Sequence, residues 1–160
     1  MPLLKATIDR LSTQHELLYL LIKDFTPPEL KTELVPGKWT IHENIAHLAC
    51  YQVKFLDRIK TILSSDIPAF ERYVAEDDPD FPACLKMTTE KLLGDLKKTR
   101  QIIFRLLTSL TNKQLQQTGH HSKNGRMDLQ LWTEFFLLHE AHHIYTIFDL
   151  TREMACRDKY

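Results

Sequence analysis

Apolar residues recur three and four positions apart along most of this chain, the period of helices with one buried face. Ile8, Leu11, Leu18 and Ile22, with His15 on the same line, predict a first helix from about Leu4 to Lys23. Pro27-Pro28 ends it, and Thr26 with Glu29 can cap a short helical turn. The second helix has the clearest start. Pro36-Gly37 makes a turn, and Thr40-Ile41-His42-Glu43 reads as a capping box. Its stripe runs Ile41, Ile45, Leu48, Gln52, Phe55, Ile59 and Leu63, and Ser64-Ser65 and Pro68 close it. A third helix is predicted from Thr88 to Leu110 on Leu92, Leu96, Ile103 and Leu106. A fourth begins near Asp128, a candidate N-cap, and runs past Asp149.

Four long amphipathic segments predict an all-α fold, a four-helix bundle, in one domain spanning residues 1–160. The connection at 66–86, with three prolines and an acidic knot at Glu76, Asp77 and Asp78, is long enough to cross the bundle or shape a site. The stretch with Gly119 and Gly125, carrying His120-His121, reads as a polar surface loop.

Composition narrows the function classes. Of 160 residues 43% are apolar and 26% charged, with 21 basic against 21 acidic side chains, so nothing suggests a nucleic-acid partner. No apolar run is long enough for a membrane span, and no leader pattern opens the chain. Three cysteines, Cys50, Cys84 and Cys156, without a CxxC pattern fit a reducing, cytoplasmic setting. Lys97, Lys98 and Arg100 read as a solvated face of the third helix.

The candidate chemistry lies in LLHEAHHIYTIF. Leu129, Trp132, Phe136, His139, His143, Ile147 and Leu150 form one stripe, so two imidazoles four residues apart interrupt an apolar line. Burying both is costly unless they are partnered, and together they can hold one metal ion. His142 is one residue off that line, a second candidate or a flank. The letters also match the HExxH pattern of zinc peptidases, with Glu140 activating water. The glycine turn that would bring a third ligand back is missing, however, and Glu140 lies about 100° around the helix from His139, where solvent exposure is the simpler expectation. A third ligand is better sought in WTIHENIAHLACYQ. His47 is two turns inside the second helix, whereas His42, near its N-terminus, reads as a surface residue.

The pairing of GKWTIHENIAHLACYQ with LLHEAHHIYTI resembles the DinB/YfiT-like superfamily across nearly the whole chain. The resemblance implies a four-helix bundle with a long crossover. It also implies a divalent metal held by one histidine of the second helix and two of the last, which fall here on His47, His139 and His143. Trp39 matches an aromatic residue before the second helix, with packing as its expected role. Three imidazoles suit zinc or nickel first, and iron or cobalt next. Three protein ligands leave an open position, as in catalytic rather than structural sites.

The leading expectation from this resemblance is a transferase in which the metal activates a low-molecular-weight thiol against a small electrophilic substrate. Metal-dependent hydrolysis is the alternative, and a non-enzymatic metal- or ligand-binding bundle the third reading. Tyr51, one turn from His47, is a candidate proton donor at the pocket, and Glu140 the nearest acid. Gln52 is a candidate to orient a ligand, and Cys50 reads as a small buried residue. Similar proteins suggest a homodimer formed by helix packing.

Overall fold

The computed structural model describes residues 2–157. The predicted first helix is two, α1 (Lys5–Thr13) and α2 (Glu16–Ile22), joined through a turn at Gln14 and His15. A short α3 (Pro27–Leu30) follows, opened by the capping box of Thr26 and Glu29. The second long helix, α4 (Ile41–Ser64), starts as its capping box requires. The Glu43 N–H donates to Thr40 Oγ1 at 3.1 Å and the Thr40 N–H to Glu43 Oε2 at 2.7 Å. After the crossover come α6 (Thr89–Ser109), capped by Thr88, and α8 (Leu129–Arg157). The Leu131 N–H donates to Asp128 Oδ1 at 2.8 Å, so Asp128 caps α8 as predicted.

The crossover is structured. It holds β1 (Ala69–Phe70), a 3-10 turn at Ala75–Asp77 and α5 (Phe81–Leu85). After α6, a single turn α7 (Asn112–Leu115) leads into a hairpin of β2 (Thr118–His121) and β3 (Gly125–Asp128). β1 pairs parallel to β2, Ala69 opposite His120, which gives a small three-stranded sheet in the order β1-β2-β3. The glycine-bearing stretch expected to be a surface loop is therefore sheet. Two four-residue strands are too short for their alternation to show in sequence. Gly119 is needed there, because a Cβ would come within 2.9 Å of Phe70 and 3.0 Å of Ile62.

The core falls into two apolar clusters. One gathers Leu18, Ile22, Ile41, Ile45, Leu48, Leu92, Leu96, Ile147 and Leu150. The other gathers Leu11, Phe55, Ile59, Ile103, Leu107, Trp132 and Phe136. On every long helix the switch between clusters falls at polar side chains. These are Gln14 and His15, then His47 and Gln52, then Arg100, then His139, Glu140 and His143. The break between α1 and α2 lies in this polar layer. There the Gln14 side chain donates to Leu137 O and to Glu140 Oε2, both at 2.9 Å.

Candidate metal centre

The capping box sets where α4 begins, and so where its faces point. Asn44 and His47, three residues apart, share a face turned toward α8. The 3.6-residue period of α8 brings His139 and His143 to meet them. One ligand nitrogen from each of His47, His139 and His143 lies within 4.8 Å of the others. Nε2 of His47 and Nε2 of His139 are 2.9 Å apart, a separation at which two imidazole nitrogens share either a proton or an ion.

Asn44 selects the tautomer of the third ring. Its amide N–H groups donate to Thr40 O at 2.9 Å and Trp39 O at 3.4 Å, which leaves Oδ1 as the acceptor for His143 Nδ1 at 2.8 Å. His143 therefore carries its proton on Nδ1, and its free lone pair is on Nε2. Nδ1 of His47 and Nδ1 of His139 are buried without a hydrogen-bond partner. Beyond their contact with each other, no group among the described residues fixes the tautomers of these two rings, whereas an ion on Nε2 would fix both with the proton on Nδ1. Burial also lowers the pKa of His47 to about 4 and that of His139 to about 3, and His143 is lower still, with the neighbouring imidazoles adding to the effect for the last two. All three rings are neutral at physiological pH, the form that binds metal. The residues fit a divalent transition ion, and no carboxylate belongs to the group.

Aromatic rings wall the centre. Trp39 lies 5.0 Å from His47 and 6.1 Å from His143, so it packs on the ligands as well as on the helix start. Tyr51 lies 4.3 Å from His139. The crossover supplies Tyr73, 5.5 Å from His47, and Phe81, 6.5 Å from it. It is pinned there by Asp78, which accepts from Tyr73 Oη at 2.8 Å and pairs with Lys54 at 3.1 Å. A cavity of about 610 Å³ opens beside the three histidines, lined among others by Tyr51, Arg58, Tyr73, His121 and Phe135. Burial raises the pKa of Tyr51, with Arg58 opposing it, so its hydroxyl keeps its proton.

The other sequence candidates lie elsewhere. Glu140 is 1% exposed, neither in solvent nor on the cavity. It forms an ion pair with Arg100, which is likewise 1% exposed rather than part of a solvated face. Gln52 accepts from Arg100 Nε at 3.1 Å and so belongs to that pair, not to the histidines. His42 is buried, not surface, because the segment entering α6 packs on it. Its Nδ1 lies 2.8 Å from Thr89 Oγ1 and its Nε2 3.1 Å from Leu85 O. His142 is exposed and lines the cavity beside His143, outside the ligand group. Cys50 is buried as expected, but its sulfur is joined to Cys84 of α5, and Cys156 is free.

Asn44 and His121 are among the contributors that the apolar stripes do not mark. Asn44 could have been found from its place three residues before His47. His121 could not, because its burial depends on the sheet. Strand alternation turns Gly119 and His121 inward and His120 outward. The N–H groups of Lys123 and Asn124 donate to His121 Nδ1 at 3.1 and 3.2 Å, which leaves the proton on Nε2.

Fold and site together define a helix bundle with a three-histidine centre suited to a metal. Residues 10–147 match the DinB superfamily model, and the chain belongs to that superfamily. It is 27% identical over 128 residues to a protein of Oceanobacillus iheyensis, covering 77% of this chain and 70% of that one. It is 25% identical over 133 residues to a protein of Bacillus cereus, covering 83% and 76%. Both relatives carry the name "Putative metal-dependent hydrolase". The fold matches that of YfiT from Bacillus subtilis, described as having "an unusual four-helix bundle topology", with a TM-score of 0.81 at 23% identity. The match covers 94% of this chain and 86% of YfiT.

Proposed function

We propose that this protein is a metal-dependent hydrolase of a small electrophilic substrate, with zinc or nickel held by His47, His139 and His143. The observation that carries this reading is the convergence of three neutral imidazoles, with no fourth protein ligand in the group, beside a cavity of about 610 Å³. When bound, such an ion supplies Lewis acidity and activates water near neutral pH. The chain's own residues do the rest. Asn44 Oδ1 holds His143 in the ligating tautomer. Trp39, Tyr73 and Phe81 pack against His47 and limit water around the ligands. Tyr51 Oη keeps its proton at neutral pH, which suits it to protonate a leaving group. Glu140 is committed to Arg100 and takes no part. Hydrolysis ranks above thiol transfer because it agrees with the names of the two relatives.

The test is elemental analysis of chelator-treated protein reloaded with zinc or nickel, together with turnover of an ester and amide panel without any thiol. The expected result is about one ion per chain, lost in His47→Ala and in His139→Ala together with the turnover. Turnover that appears only when a thiol is added would favour the transferase. Failure to take up an ion would leave the histidines as packed core groups.

A further inference from the structure

A guanidinium that lines the cavity has no counter-charge among the described residues. Arg58 lies on α4 beyond Tyr51 and lines the same cavity as the three histidines. Its Nη2 donates to Glu71 O at 2.7 Å and its guanidinium also acts on the Tyr51 hydroxyl by charge and hydrogen bonding, whereas Nη1 is buried with no partner in hydrogen-bond geometry among the described residues. Among the described residues no carboxylate pairs with it. Aromatic faces hold it in place: its guanidinium carbon lies 5.4 Å from the Trp132 ring, 5.5 Å from Phe70 and 6.0 Å from Tyr51. These contacts orient the fork and leave its charge available. A buried donor without a partner is costly, so its retention calls for an acceptor that arrives from outside.

The surroundings point the same way. Arg72 and Lys123 also line the cavity, and Glu76 is the one carboxylate among the lining residues. His121 adds an Nε2–H from the β2 side, since its Nδ1 is already occupied by two backbone donors. Tyr51 stands between the two ends, its ring 4.3 Å from His139 and within 6.0 Å of the Arg58 guanidinium carbon. A small molecule reaching the histidines thus passes one aromatic ring from an uncompensated cation.

We propose that Arg58 binds an anionic oxygen group of the substrate, carboxylate or phosphate, while the group to be cleaved lies at the three histidines. The substrate class is then a small acid that reaches from the three histidines past the Tyr51 ring to Arg58. This inference rests on the metal-dependent reading for the role of the other end. The anion site itself depends only on Arg58 and its surroundings.

The experiment reads binding, not turnover. Zinc-loaded protein is titrated by calorimetry with succinate, glutarate and adipate, each beside its half-amide, and with inorganic phosphate. Either member of a pair can place one carboxylate on the zinc, but only the diacid has a second anion for Arg58. At least one diacid is expected to bind at least about tenfold tighter than its half-amide, as a charged hydrogen bond requires. Arg58→Gln should erase that difference with zinc content unchanged, and Arg58→Lys, which keeps the charge but loses the fork, should retain part of it. Phosphate binding tighter than every diacid, and lost in Arg58→Gln, would assign the group as phosphoryl. Equal binding of diacids and half-amides, a preference that survives Arg58→Gln, or no anion binding at all would overturn the proposal. Anion preference without hydrolysis of any ester or amide would leave this site standing and remove the hydrolase reading, and the reverse result would do the opposite.

Discussion

Adjacent residues of one helix serve two polar clusters of opposite design. Glu140 joins Arg100, Gln52 and Gln14 in one hydrogen-bonded network, in which the two charges are paired and Gln52 Nε2 is left without a partner among the described residues. The Arg100 guanidinium also donates to Leu11 O at 3.3 Å, and Gln14 Nε2 donates to the second oxygen of Glu140 at 2.9 Å. His139, one residue earlier, joins His47 and His143, where two Nδ1 atoms have no partner and the Nε2 atoms converge. The first cluster pairs its charges within itself and lies away from the cavity beside the histidines. The second is left incomplete and opens onto that cavity. A buried polar cluster whose charges are paired internally serves the fold, and one whose ligand atoms converge beside an open cavity marks where something binds.

The largest effect expected from breaking this contrast is at Glu140. Glu140→Ala strands the Arg100 charge in the core and should cost about 3–5 kcal/mol of unfolding free energy. The zinc stoichiometry of the molecules that stay folded should not change. Urea denaturation and elemental analysis of the same sample check both halves, and loss of zinc from folded protein would erase the distinction between the clusters. The double change Arg100→Met with Glu140→Leu should recover much of the loss, because no charge is left unpaired.

Asn44 is the converse case, a residue that holds one of the three imidazoles. Asn44→Ala frees His143 Nδ1 and should weaken zinc affinity roughly 10- to 100-fold. The cost to stability should be smaller than at Glu140, since one hydrogen-bonded amide is lost and no charge is exposed. Competition with a chelator of known affinity reads the first and urea denaturation the second.

The mildest effect is a slope with pH. Burial holds His47 near 4 and His139 near 3, and burial with Arg100 and Lys97 holds His15 near 4, against 6.5 as the ordinary value. Between those limits the unfolded chain binds protons that the fold refuses. The metal-free protein should therefore be fully stable above about pH 6.5 and lose stability as pH falls toward about 4. Zinc should steepen that fall, because protons compete for the same nitrogens. Urea midpoints across this range, with and without zinc, test it; superimposable profiles would mean that the ion does not reach the imidazoles.

Much of the fold is local enough to read in the residues. The capping box at Thr40 and Glu43, the N-cap at Asp128 and the apolar stripes place the starts of three long helices within a residue or two. Each of these signals acts within one or two turns. The spacing of His139 and His143 marks a shared face for the same reason, and the family resemblance adds His47. The misread residues all depend on partners far along the chain. Arg100 and Glu140 look like solvated charges until two helices bring them together. His42 looks exposed until the α5–α6 connection covers it.

What the sequence alone determined is the set of helices, the faces they bury and the two imidazoles of α8 that share one of those faces, because helix period and capping are short-range. Packing between the helices set which polar groups of the middle layer pair with one another and which face the cavity. The tertiary structure alone also brought Arg58, Tyr73 and His121 to the cavity. Hydrogen bonding and charge pairing are satisfied between elements, so a side chain's role depends on the neighbours that folding delivers.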